Sequence, residues 1–98
     1  IDTRFKQNDL QVKTGRIVVG LEYGRAQVTL NEEETGMLNG YYFSHPVTGK
    51  FILVVNPFLT YEAIIEADGY ETIETKITPD AFKDETPLKF VLKKKLAQ

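Results

Sequence analysis

Apolar and polar residues alternate with period two along much of the chain, the signature of strands that bury one face and wet the other. Ala26, Val28 and Leu30 alternate with Gln27, Thr29 and Asn31. Tyr61, Ala63, Ile65 and Ala67 alternate with Glu62, Ile64 and Glu66, and Leu88, Phe90 and Leu92 with Lys89, Val91 and Lys93. A strand is predicted over Val12–Leu21, with Ile17, Val19 and Leu21 on one face. Gly15 inside it marks a bulge or a close backbone approach. Another strand is predicted over Met37–Phe43, ending in Tyr41-Tyr42-Phe43. Phe51-Ile52-Leu53-Val54-Val55 is apolar at every position, which predicts a central strand covered on both faces.

The breaks between these runs carry turn chemistry. Gly24, the charged stretch Glu32-Glu33-Glu34-Thr35-Gly36, the connection Ser44–Gly49 and Asn56-Pro57 each interrupt the pattern. Asp68-Gly69 has the composition of a two-residue hairpin turn, but the register opposes that. Such a turn pairs Ala67 with Tyr70 and Ile65 with Thr72, which puts Ile73 on the face of Glu62 and Glu66. Because a one-residue slip flips every side chain, either a bulge near Gly69-Tyr70 or a move of the next strand to a different sheet is expected. Thr78-Pro79 opens a helical turn reaching Asp84, with Thr78 as N-cap and Pro79 at the first helical position. The count is seven short strands with turn signals about every 8–12 residues, which reads as an all-β sandwich or barrel; with the family resemblance given below, the expectation is an all-β, seven-stranded, two-sheet sandwich.

Length and charge narrow the picture. Ninety-eight residues make one small domain. A lead-in over residues 1–11, a sandwich over 12–95 and a tail over 96–98 are expected. The first residues lack the basic-then-apolar order of a signal peptide, and an excised domain or processed product is expected. The net charge of −2 argues against a nucleic-acid partner. No apolar run reaches the roughly 20 residues of a membrane-spanning helix. Cysteine is absent, which excludes disulfides, thiolate zinc sites and cysteine nucleophiles.

Few residues offer chemistry. The single histidine, His45, follows the single serine, Ser44. Adjacent residues of an extended chain point to opposite sides, whereas a base must reach the hydroxyl it activates, so a loop role for both is favoured. One histidine without cysteine does not make an ordinary zinc site. Glu32, Glu33 and Glu34 are consecutive and diverge, which favours a solvated acidic turn. No cofactor or metal is expected, and the chain is read as non-enzymatic. Phe43 and Phe51 are expected in the core. Tyr41, Tyr42, His45 and Phe58 form a possible interaction surface, since exposed aromatics anchor both sugar rings and protein partners.

The order of motifs resembles the carboxypeptidase regulatory-like domain, a transthyretin-like sandwich of Greek-key type. The resemblance rests on Gly15-Arg16-Ile17, Ala26-Gln27-Val28-Thr29-Leu30, Gly49-Lys50-Phe51, Ala67-Asp68-Gly69-Tyr70 and Phe90-Val91-Leu92, in that order, and covers about residues 12–92. One element departs: the family's Pro-Pro-Gly-x-Tyr turn is here Asn56-Pro57-Phe58-Leu59-Thr60-Tyr61, without glycine. The turn must therefore suit Leu59-Thr60, with Phe58 either displayed at the tip or tucked inside. Ser44-His45-Pro46-Val47-Thr48-Gly49-Lys50-Phe51 is similar to members in Gram-negative envelope proteins that carry an outer-membrane-protein-A-like, peptidoglycan-binding domain. Some of those belong to type IX secretion machinery. The resemblance implies a non-catalytic accessory module, periplasmic or outer-membrane associated, that spaces or docks neighbouring domains or envelope proteins. The other reading is a carbohydrate- or peptide-binding module that uses loop aromatics or an open sheet edge.

Overall fold

A computed structural model describes residues 10–96. The predicted alternation becomes eight strands and one helical turn, in the order β1 (Gln11–Val19), β2 (Glu22–Tyr23), β3 (Gln27–Glu32), β4 (Leu38–Phe43), β5 (Lys50–Val55), β6 (Tyr61–Glu66), β7 (Ile73–Ile77), α1 (Pro79–Lys83) and β8 (Leu88–Leu92). The strand beyond the expected seven is the two-residue β2, which folds back on the end of β1. The expected lead-in lies outside the described residues except at its last two positions.

The strands form two four-stranded sheets, and the fold is an all-β sandwich. In the first sheet β1 is the hub. It pairs antiparallel with β5 through Gln11–Arg16, antiparallel with β2 at Val18 and Val19, and parallel with β8 through Gly15–Val19. Residues 15 and 16 pair with both β5 and β8, so these two strands flank β1 on opposite sides. The second sheet runs β4-β3-β6-β7, antiparallel throughout.

The core lies between the sheets. Ile17 comes from β1, Phe51, Leu53 and Val55 from β5, and Leu92 from β8. Val28, Leu30, Tyr61, Ala63, Ile65 and Ile77 face them from the second sheet, with Ala26 and Phe82 at the ends. Burying each of the larger side chains contributes roughly 1.5–3 kcal/mol against the ordering entropy of the chain. The close approach anticipated at Gly15 is real. A Cβ on Gly15 would lie 2.8 Å from the Leu88 backbone carbonyl and 2.4 Å from the ring of Phe51, its direct cross-strand partner. That ring also stacks on Phe90, with centroids 6.1 Å apart.

The Asp68-Gly69 segment is no plain hairpin turn. β6 and β7 remain neighbours, but Ile65 pairs with Ile73 rather than Thr72. The extra residue returns Ile73 and Ile77 to the face of Ile65 and Tyr61, as apolar burial demands. Tyr70 N donates to Ala67 O at 3.0 Å and closes a turn at Gly69, whose φ is +85°. The chain between the strands crosses to the other sheet. Tyr70 bridges Lys94, Glu71 N donates to Lys93 O at 2.8 Å, and Lys95 N donates to Gly69 O at 3.0 Å. The irregularity thus ties the two sheets together beyond β8.

Three expectations are corrected. Among the described residues β5 pairs with β1 alone, and the second sheet covers only its inner face, so Ile52 and Val54 point outward, 47% and 42% exposed. Leu21 does not share the Ile17 face, because β1 ends at Val19 and Leu21 sits in the following turn, 99% exposed. Phe43 lies outside the core, 52% exposed. The helical turn forms as expected, with Pro79 in its first turn and Phe82 buried edge-on against Tyr61, but Thr78 makes no side-chain capping bond.

Candidate interaction surface

The alternation of β4 sorts its aromatics. Tyr42 lies opposite Val28, on the inward face, whereas Tyr41 and Phe43 lie opposite Thr29 and Gln27, on the outward face. A register shift beside Leu30 and Asn31 brings Leu38 opposite Asn31, onto the same outward row. Leu38, Tyr41 and Phe43 therefore form an exposed stripe along an edge strand. The Arg25 guanidinium covers the Phe43 ring, 4.7 Å from its centroid. That is the distance of a cation–π contact, and it accounts for an exposed phenylalanine with an ordered neighbour.

Tyr42 is half-buried and has a structural task. Its hydroxyl donates to Asn39 Oδ1 at 2.6 Å and lies 3.3 Å from the Val54 carbonyl, which also accepts from Asn39 Nδ2 at 3.3 Å. β4 and β5 belong to different sheets, so these side chains close the seam where two edges meet. They satisfy a carbonyl that β5, with no second strand beside it among the described residues, leaves unpaired by the sheet.

Ser44 and His45 follow directly. Ser44 is buried, donating from Oγ to Gly24 O at 2.6 Å and accepting from Ala26 N at 2.7 Å. His45 is exposed, and its Nδ1 accepts from Val47 N at 3.0 Å and Thr48 N at 3.2 Å. His45 N donates to Lys50 O and Gly49 N to His45 O, both at 2.8 Å. The pair is thus divided: the serine fastens the start of β3, and the imidazole organises the turn into β5. Gly49 takes φ +68°, and a Cβ there would lie 2.4 Å from the Ile17 carbonyl.

Phe58 stands apart from the others. It occupies the tip of the Asn56-Pro57 turn, 75% exposed. Asn56 Oδ1 accepts from Phe58 N at 2.9 Å and Asn56 O from Leu59 N at 3.1 Å, while Asn56 N donates to the Tyr61 hydroxyl at 2.9 Å. The asparagine side chain thereby organises a turn that contains no glycine, and no described non-glycine residue has positive φ. Burial pushes the Tyr61 hydroxyl above its ordinary pKa, against the opposing effect of the Asn56 bond. Phe58 borders a hollow of about 520 Å³ with Glu32, Glu33, Glu34 and Thr35. Glu33 N donates to Thr60 O at 3.0 Å, joining the two turns.

The sequence-derived set Tyr41, Tyr42, His45 and Phe58 is therefore not one site. Tyr41 is on the outward stripe and Tyr42 on the seam. His45 lies beyond the Phe43 end of β4. Phe58 lies near the Leu38 end, about 17 Å away along a strand of this length. Leu38, Phe43 and Arg25 belong to the surface, and the sequence reading omitted them. The period-two rule applied within Tyr41-Tyr42-Phe43 signalled that Tyr41 and Phe43 share a face.

The acidic turn is engaged locally. Glu32 Oε1 accepts from Thr35 Oγ1 at 3.0 Å, and Glu33 pairs with Lys76 at 2.6 Å, which raises the lysine pKa. Among the described residues, no group of three or more histidine, aspartate or glutamate side chains converges on a common point. No described helix is long and apolar enough to cross a membrane. Lys13 is buried, and its ammonium donates to the carbonyls of Asp84 and Thr86. Hydrogen bonds from Thr86 hold the Asp84 carboxyl below its usual range.

Comparison of the chain with family models, curated proteins and solved structures finds no match.

Proposed function

We propose that the chain is a non-catalytic accessory module of a larger cell-envelope protein, which holds or docks neighbouring domains. The single observation that carries this reading is the contrast between its polar and aromatic side chains. Ser44 and His45 direct polar atoms at nearby backbone and Tyr42 its hydroxyl at Asn39 and the Val54 carbonyl, whereas Leu38, Tyr41 and Phe43 face outward along an edge strand. A rigid sandwich with an exposed aromatic row suits presentation and docking.

The motifs of the carboxypeptidase regulatory-like domain support a transthyretin-like, Greek-key variant of the sandwich. Gly15 lies under Phe51, Val28 and Leu30 are buried, and the Ala67–Tyr70 segment makes the turn that links the sheets. A periplasmic or outer-membrane-associated setting follows from the same resemblance, as does a place among peptidoglycan-associated or type IX secretion proteins. The partners on this reading are neighbouring domains or envelope proteins.

Amide shifts test the proposal. In a longer polypeptide carrying the adjoining domains, the amides of Leu38, Tyr41 and Phe43 are expected to shift from their positions in the isolated chain. Superimposable spectra would remove the docking role of this row. Shifts at Tyr41–His45 or Phe58 with millimolar peptidoglycan fragments would instead favour the carbohydrate-binding reading, against which the Arg25 cover on Phe43 counts.

A further inference from the structure

Charge is segregated between the two sheets. The strands of the first sheet carry Lys13, Arg16, Lys50 and Lys89 with one acid, Glu22. Those of the second carry Glu32, Glu62, Glu66 and Glu74 with one base, Lys76. Lys13 turns inward, but the other three bases of the first sheet are exposed on its outer face. Register places Lys50 and Lys89 directly opposite Arg16, one on each side. Three cations thus form one row across β5, β1 and β8, spanning about 10 Å at ordinary strand spacing. Among the described residues, none of the three has a carboxylate at ion-pair distance. Like charges in direct cross-strand positions oppose folding, so the mutual repulsion of the three cations is a cost within the isolated chain.

The adjoining rows of this face are aliphatic. Thr14 lies opposite Ile52, Val12 opposite Val54, and Val18 opposite Val91. Val12, Ile52, Val54 and Val91 are all exposed. The one aromatic ring in these rows, Tyr23, already carries the Arg16 guanidinium 5.3 Å from its centroid.

We propose that the outer face of the first sheet docks an acidic segment of a protein partner. Its carboxylates neutralise the Lys50–Arg16–Lys89 row, and its apolar side chains cover Ile52, Val54 and Val12. The face fits a protein better than other polyanions. Nucleic acids and sugars gain from stacking on free aromatic rings, and none is free in these rows. Bilayer binding draws on aromatic or long aliphatic anchors that enter the headgroup layer, whereas valine and isoleucine on a pleated sheet form a flat surface. Such a contact is small and charge-led, so it is weak and sensitive to salt.

The inference rests on the docking-module reading but not on the β4 row, and the test separates them. The labelled chain is titrated at low salt with a decapeptide mixing glutamate and leucine, with its all-glutamate counterpart, with a heparin oligosaccharide and with phosphatidylglycerol vesicles. The mixed peptide is expected to move the amides of Arg16, Ile52, Val54 and Lys89 and to bind more tightly than the other three probes. Arg16→Gln is expected to weaken it about fivefold. Removing all three charges abolishes binding, and Tyr41→Ser leaves it intact. No shifts on this face at millimolar peptide would overturn the proposal. So would tighter binding of heparin or vesicles, or a peptide affinity that Arg16→Gln does not change.

Discussion

β3 and β5 invert what their compositions suggest. β3 is polar at every second position, yet it is a central strand, hydrogen-bonded to β4 on one side and β6 on the other. β5 is almost wholly apolar, yet among the described residues it has β1 as its one partner. Apolar content did not report coverage either, since the outer face of β5 is apolar and exposed. Position across the sheet depends on hydrogen-bonding partners, and the side chains do not encode these. β1 fills its other flank with the parallel strand β8, and the chain after β5 leaves for the second sheet. Ile52 and Val54 are then left on the surface rather than in the core.

The largest effects test whether the inner faces of the two strands are nonetheless equivalent. Leu30→Ala and Leu53→Ala each remove a fully buried side chain, and each is expected to cost about 2–5 kcal/mol in urea unfolding. A much smaller cost at Leu53 would mean that the flanking strand yields around the cavity, and the inner faces would then differ. Gly15→Ala comes next. It overpacks the Phe51 ring that β5 lays across β1 and is expected to lose about 1–3 kcal/mol. A neutral result would show that the ring moves aside freely.

Two substitutions probe the entries to the strands. Ser44→Ala removes a buried hydroxyl between Gly24 and Ala26 at the start of β3, with an expected loss of about 1–3 kcal/mol. Tyr61→Phe removes the acceptor for Asn56 N at the end of β5, with an expected loss of about 1 kcal/mol. It also carries a pH signature. Because burial raises the Tyr61 pKa in the folded protein, its contribution is intact below the unfolded value of about 10. It falls as pH rises through the folded value. Tyr61→Phe is expected to flatten that alkaline decline in unfolding curves collected above pH 9, and an unchanged slope would assign it to another group. The smallest effects belong to the outer face of β5: Ile52→Thr and Val54→Thr are expected within about 0.5 kcal/mol of the parent. A loss comparable to that of Leu53→Ala would mean that this face is covered in solution.

Much of the fold was legible in the sequence because alternation is a local property. Ala26, Val28 and Leu30 are buried together, and so are Tyr61, Ala63 and Ile65, as their spacing requires. The register conflict around Asp68-Gly69 was also legible, because parity forbade a two-residue turn. Its resolution was not: the extra residue lets Tyr70 pair with Lys94, a contact between residues distant in sequence. The interaction surface was legible only in part. Tyr41 and Phe58 are exposed, but Phe43 reads as core by hydrophobicity alone, and the position of Arg25 over its ring depends on the path of the chain after β2.

The sequence by itself determined the class of the protein, all-β, together with the inward residues of most strands and the sites of its turns, because these follow from local backbone and side-chain preferences. The tertiary structure alone decided which strands lie at the edges, how Tyr42 and Asn39 close one seam and Tyr70 another, and how Lys50, Arg16 and Lys89, distant along the chain, come to share one row. Strand order and register join residues far apart in sequence, and period-two patterning carries no record of which strand will lie beside which.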